Sequence, residues 1–352
     1  MSSSLALSQP LLRWLREDPA WAALPLAQRA RLAWQARWGS INSGVARALA
    51  AQGTLVALED PVLIVGPWRS GTTVMHELLG AALGSTTPLT WQCMDACSFE
   101  LLPHRHRGGR DPVVARPMDG LQISGESPQE DEFALLALGI DSAYRAFWMP
   151  QRIGELQHTL DPQYWLDQPQ WLDAWEAFLR GVLRTATLPR QPLILKSPNH
   201  TYRLRAILQR FPRTHVVWMA RDPAAIWHSN RKMWSSMFAA HGLSASNSDA
   251  LDAFLVRALE EAASTLDWCS QNLDHARWTV VRQEALQADP VATMQGVQRA
   301  LELQRETNSA AFDAAVARIG SGRVERYAQA PPPVALPAIE ALRGAQDAAL
   351  AA

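Results

Sequence analysis

The amino-acid sequence predicts an α/β fold of three layers, in which helices cover both faces of a central parallel sheet and a helical extension precedes it. Three observations lead there. Apolar runs at residues 61–65, 193–195 and 214–220 each stop at a turn that carries a basic residue and a helix start, the grammar of parallel strand-helix units. The first run, PVLIV, is nearly all apolar rather than alternating, which suits a strand buried on both faces. Residues 1–55 instead space Leu11, Leu12, Trp14 and Leu15, then Leu32, Ala33 and Arg37, as helices do, and hold no catalytic motif.

Three segments follow from composition along the chain: an N-terminal helical extension at 1–55, a main domain at 56–330, and a Pro- and Ala-rich tail at 331–352. The tail reads as a lid, a surface helix or a loose end. In the main domain, the first apolar run opens into GPWRSGTT and then a helix over 74–83. Gly66 and Gly71 keep the backbone bare there, and Thr72 and Thr73 add hydroxyls, so main-chain N–H groups and the helix N-terminus can close around phosphate-like oxygens. Against the pattern G-x-x-x-x-G-K-[ST], Gly66, Gly71 and Thr73 are in register, but Thr72 stands where a nucleotide triphosphatase needs lysine. Without that lysine, transfer of a terminal phosphoryl group loses its main positive contact.

Two more strand-to-helix turns repeat the theme. At 193–200, LILKSPNH, Lys196 ends the strand, Ser197 can cap the next helix and Pro198 fits its first position. At 214–229, Arg221 ends the strand, Asp222 is the N-cap, Pro223 is the first helical residue, and Ser229 falls two turns later on the same helix face. Three basic residues thus line one carboxyl edge of a parallel sheet, where open α/β folds bind ligands.

The motif P-x-R-S-G-T-T at 67–73, together with R-D-P and the serine eight places after Arg221, resembles the sulfotransferases that use 3′-phosphoadenosine 5′-phosphosulfate (PAPS). The resemblance implies a P-loop-like sulfotransferase fold, with PAPS as the sulfuryl donor. It implies that Arg69, Ser70, Gly71, Thr72 and Thr73 hold the 5′-phosphosulfate, that Arg221 and Ser229 hold the 3′-phosphate, and that Lys196 and Arg69 meet the sulfonate and the leaving oxygen. Arg323, in GSGRVERY, would be a further phosphate contact. Gln283 stands where many relatives carry a tyrosine, which weakens an adenine-stacking role there. The sulfuryl group carries less negative charge than a phosphoryl group, so fixed cations and amides can stabilise its transfer without a metal.

A hydroxyl or amine acceptor must lose its proton as sulfur is attacked. His200, shortly before the 3′-phosphate strand, resembles the basic histidine of cytosolic relatives and is the leading catalytic base beside Arg69 and Lys196. Glu130, Asp131 and Glu100 are the alternatives. Ser127 and Glu130 also read as a capping box, which would occupy Glu130 without any catalysis. Trp171 and Trp175, four apart, read as core packing rather than an acceptor lining. Cys93, Cys97, His104 and His106 have no usual zinc spacing, and the run at 104–110, HRHRGGR, reads as a solvated turn.

Composition sets the remaining expectations. The 352 residues, 48% hydrophobic, are ample for one large core. A net charge of −1 argues against nucleic-acid partners. Three cysteines make no disulfide framework, so a cytoplasmic setting is expected. No apolar run approaches the ~18 residues of a membrane span. The acceptor is expected to be a small molecule, a lipid or a glycan, and a homo-oligomer is compatible with the chain. A degenerate P-loop kinase or triphosphatase, or a non-catalytic binder of the nucleotide, are the competing functions.

Overall fold

The computed structural model describes residues 7–50, 56–101, 113–116, 122–187, 189–190, 192–303, 309–320 and 337–351. Arg323, the loop at 104–110 and the start of the tail lie outside the described residues.

Four strands form the central sheet, and all of them are parallel. Strand β1 is Val62–Val65, and β2 and β3, at Val114–Ala115 and Gln122–Ile123, make a separate antiparallel pair. Strands β4 (Ile194–Lys196), β5 (His215–Ala220) and β6 (Trp278–Arg282) join β1 in the order β4-β1-β5-β6. The register sets Val62 opposite both Ile194 and His215, which aligns the carboxyl ends of β1, β4 and β5.

Residues along these strands feed two cores in turn. Leu63, Val65, Leu195, Val216 and Trp218 enter the larger one, whereas Val62, Ile64, Ile194, Val217 and Met219 enter the smaller. Period-2 side-chain direction thus fills both faces of one sheet, and the continuous apolar runs follow from it. The smaller core is closed by the helix Thr72–Leu83, through Met75, Leu78 and Leu79, and by helices Pro290–Ala300 and Ser309–Gly320.

The larger core absorbs both ends of the chain. The helix Gln9–Arg16 begins at Ser8, whose hydroxyl caps Leu11 N–H, and it buries Leu11, Leu12 and Leu15. The N-terminal helices therefore pack into the main core. The tail is not a loose end over its last residues: Pro337–Ala351 is a helix packed on Ser248–Asn272, with Ala338, Ile339, Leu342 and Ala345 buried. An i, i+3/i+4 apolar stripe that the Ala-rich composition obscured explains the difference.

Leu342 is fully buried, so Leu342→Ala is expected to cost about 2–5 kcal/mol of unfolding free energy, as buried leucine truncations do. Urea denaturation measures it. A loss within ~0.5 kcal/mol, the range of surface substitutions, would mean that the C-terminal helix is detachable.

Candidate active site

The loop after β1 is built by backbone geometry that few sequences allow. Gly66 has φ +131°, and a Cβ there would stand 2.6 Å from the Met219 carbonyl oxygen of the neighbouring strand. Only glycine fits. Gly66 N–H donates to Thr201 Oγ1 at 2.9 Å, and the Thr201 hydroxyl returns a bond to Gly66 O at 3.0 Å, stapling the loop to the helix His200–Arg210. Gly71, at φ +96°, is the N-cap of Thr72–Leu83, and no side chain caps that helix. Its first-turn N–H groups therefore face the loop without a side-chain partner, as an anion site requires. Gln283 Cγ lies 3.0 Å from where a Gly71 Cβ would be, so Gln283 packs on the loop.

Ser70 departs from its expected role. It is fully buried, and both its hydroxyl (2.8 Å) and its N–H (3.2 Å) donate to Pro67 O. Ser70 shapes the turn from inside; of the residues that follow, Thr72 is buried and Gly71 and Thr73 are half-buried at the helix start.

Arg69 lies between Ser229 and Arg221 and bonds to both. Arg69 sits at φ +71°, a left-handed conformation that costs a non-glycine residue about 1–2 kcal/mol. It is held there from both sides: Arg69 Nε donates to Ser229 Oγ at 3.0 Å, and Arg221 Nη1 donates to the Arg69 carbonyl at 2.7 Å. Asp222 caps its helix through Ala225 N–H at 2.8 Å, with Pro223 next. Its other oxygen lies 3.5 Å from Arg343 Nη2 on the C-terminal helix.

Lys196 reaches the start of the helix Thr72–Leu83 from β4. Its side chain is 1% exposed, and Nζ donates to Glu130 Oε1 at 2.7 Å and Thr73 Oγ1 at 3.4 Å. Burial lowers the lysine pKa and Glu130 opposes that shift, while Arg116 adds a like charge that lowers it further. Glu130 Oε2 accepts the Tyr144 hydroxyl at 2.7 Å, and Tyr144 Oη in turn accepts Trp68 Nε1–H at 3.1 Å. Burial, and then the Glu130 charge, raise the Tyr144 pKa well above its ordinary value, so the phenol stays a donor. The chain Trp68, Tyr144, Glu130, Lys196, Thr73 thus links the loop to β4 by continuous hydrogen bonds.

This geometry corrects the reading of the base. His200 is fully buried; its Nε2 lies 2.9 Å from Asp131 Oδ2, and its ring packs against Trp175 and Trp171 at centroid distances of 5.2 and 6.4 Å. No acceptor hydroxyl reaches a ring enclosed in that way. Asp131 is equally buried and also accepts Trp175 Nε1–H at 2.7 Å. Burial works to raise its pKa, but His200 and Trp175 outweigh it and the net shift is downward. Glu100 pairs with Arg184 at 2.7 Å. Glu130 alone of the four candidates touches Lys196. The capping box does not form: the helix Glu132–Leu138 has Asp131 as N-cap, and Ser127 Oγ accepts Ser124 N–H instead. Glu130 is thereby released from a capping duty.

Tyr144, Thr201 and Trp68 had no signal in the sequence: Trp68 meets Tyr144 across 76 residues and Thr201 meets Gly66 across 135, and Tyr144 reaches Glu130, 14 residues back, at no regular helix or strand spacing. Trp171 and Trp175 are core residues, and Cys93 and Cys97 are buried thiols.

Residues 61–307 match the sulfotransferase family. The chain belongs to that family. It is 31% identical over 248 residues to the omega-hydroxy-beta-dihydromenaquinone-9 sulfotransferases of Mycobacterium bovis and Mycobacterium tuberculosis, a match that covers 67% of this chain and 61% of each relative. The alignment thus spans under two thirds of those relatives' length. Among solved structures, sulfotransferase STF9 from Mycobacterium avium superposes with TM-score 0.63 at 15% identity, covering 91% of this chain and 90% of that one. Sulfotransferase STF1 from Mycobacterium tuberculosis H37Rv gives 0.61 at 16% identity, covering 96% and 90%. These likenesses bear out the three-layer fold with its P-loop-like turn.

Behind Lys196, His76 is fully buried, with Nε2 bonded to Thr87 and to Ile194 O at 3.2 Å. Desolvation, then the Lys196 charge, lower its pKa from 6.5 to about 3. The unfolded chain binds a proton near pH 6.5 that the native state refuses, so stability is intact above that pH and falls below it. Between pH 6 and 4, His76→Gln is expected to flatten the loss by up to about 1.4 kcal/mol per pH unit, read by urea denaturation. Parallel pH profiles for the two proteins would contradict the assignment.

Proposed function

We propose that this sulfotransferase moves a sulfuryl group from PAPS to a hydroxyl of a lipid-class acceptor, with Glu130 as the base. The Lys196–Glu130 pair beside Thr73 carries the reading, because it sets a cation and a carboxylate against the same anion loop. The donor set fits such a nucleotide: an uncapped helix start for one phosphate, and the Arg69, Ser229 and Arg221 cluster for another. When bound, PAPS would supply the sulfuryl group, with 3′-phosphoadenosine 5′-phosphate as the leaving group.

The chain's own residues would do the following. Thr72 and Thr73 bind the 5′ side through the helix N-terminus. Arg221 and Ser229 bind the 3′-phosphate and orient the nucleotide, so positioning supplies much of the rate. An ammonium has three N–H donors; Lys196 directs two at Glu130 and Thr73, and the third serves the leaving oxygen. Glu130 takes the acceptor's proton, and Tyr144 keeps its carboxylate aimed. The acceptor class is drawn from the relatives, whose named substrate is a hydroxylated menaquinone, and a pure small-molecule or glycan acceptor is the less supported choice.

Glu130→Gln keeps the shape but removes the proton acceptor. It is expected to lower turnover by roughly 10²–10⁴-fold while 3′-phosphoadenosine 5′-phosphate still raises the melting temperature. Wild-type turnover in this variant would remove Glu130 from the mechanism. Arg221→Ala is expected to weaken binding of the same nucleotide by about 10-fold or more, the worth of a charge-assisted hydrogen bond, whereas ATP with Mg should stabilise neither protein. Stabilisation by Mg·ATP and not by the bisphosphate would favour a kinase.

A further inference from the structure

Five of the eight exposed large hydrophobic residues among those described lie on one helix, Leu26–Ala50: Leu26, Trp34, Trp38, Ile41 and Val45. Single exposed apolar residues are ordinary, but a contiguous set marks an interaction surface. Four of them recur at steps of 4, 3 and 4, so at 100° per residue they share one stripe. The opposite face is already used: Leu32 and Ala36 are buried in the larger core, and Gly39 comes within 3.6 Å of Cys97 Sγ, counted from a Cβ built there. The outer stripe has no packing partner in that core. Trp34 is 64% exposed, Trp38 53%, and their rings stack at 5.9 Å.

Charge decides what fits this stripe. From Pro19 to Leu58 the chain has no acidic residue and four arginines, Arg29, Arg31, Arg37 and Arg47. Arg31 and Arg37 are exposed and fall about 50–70° to either side of the stripe on a helical wheel. Tryptophans in the middle and arginines along both borders are the composition of a helix that lies in a lipid interface, with rings at headgroup depth and guanidinium groups on lipid phosphates. A second copy is a poorer occupant. A two-fold contact through this helix would bring Arg31 and Arg37 against one another with no carboxylate on the helix to neutralise them. Among the described residues no helix is long and apolar enough to cross a membrane, so the contact would be peripheral.

We infer that the outer face of Leu26–Ala50 docks the enzyme on an anionic lipid surface, through Trp34, Trp38, Ile41 and Val45 with Arg31 and Arg37 at the borders. The inference stands on this helix alone and does not depend on the donor or the base. The helix supplies a surface on which an enzyme with a lipid acceptor meets its substrate.

Flotation of the full chain with vesicles tests it. Binding to phosphatidylcholine–phosphatidylglycerol vesicles, weakened by salt, is expected, with much less on phosphatidylcholine alone. Trp34→Ser/Trp38→Ser should reduce binding by more than about tenfold, since the burial of both rings is lost. Arg31→Gln/Arg37→Gln should remove the preference for the anionic vesicles. Both variants should keep the wild-type melting temperature and its rise with 3′-phosphoadenosine 5′-phosphate, which separates this surface from the nucleotide site. A wild-type chain that stays with the buffer, or a double tryptophan variant that floats like wild type, would overturn the inference. So would a concentration-dependent dimer in sedimentation velocity that the tryptophan variant abolishes while neither protein binds vesicles, because the stripe would then serve a second copy.

Discussion

An ammonium group withdrawn from water must be paired, and Lys196 is paired by Glu130 at 2.7 Å. The desolvation cost of such a cation reaches several kcal/mol unless hydrogen bonds compensate it, so the residues around it are tightly constrained. Glu130 must come from a distant segment, Tyr144 must orient that carboxylate, and Trp68 must anchor the tyrosine from within the loop after β1. Loop, strand end and acidic segment are therefore one unit. A change in any of them leaves a buried charge or a buried phenol without its partner, which is costlier than losing an exposed ion pair.

The same economy governs the arginines. Arg69 occupies a left-handed conformation that Ser229 and Arg221 stabilise from side chain and carbonyl respectively. Strain of this kind persists where surrounding contacts over-determine it, and such places are commonly ligand clamps. Parallel register makes the clamp: because β1 pairs with both β4 and β5, the residues leaving those strands emerge at one edge. Lys196 and Arg221 lie on opposite sides of the β1 loop, and Arg69 lies between them.

Much of this was legible in the chain itself, and the limits have physical causes. Apolar runs, glycines with obligatory positive φ, and Asp-Pro helix starts are local signals, and β1, β4 and β5 fall within a residue or two of where they were read. Long-range pairing has no such signal. Glu130 looked like a cap because S-x-x-E is a local pattern, yet the helix starts later and its carboxylate reaches across to Lys196. His200 looked like a base because it follows Lys196 closely, yet the first turn of its helix points it inward to Asp131 and the tryptophans. Composition misled at the C-terminus, where the alanine-rich helix Pro337–Ala351 still packs into the main core.

The central claim is that Arg69, Lys196 and Arg221 surround one doubly phosphorylated nucleotide. A crystal structure with 3′-phosphoadenosine 5′-phosphate tests it most directly. The expected result is the 5′-phosphate at the start of the helix Thr72–Leu83 facing Lys196, and the 3′-phosphate on Arg221 and Ser229. Nucleotide density elsewhere, or a molecule that touches one of the three basic residues and leaves the other two to solvent, would contradict it.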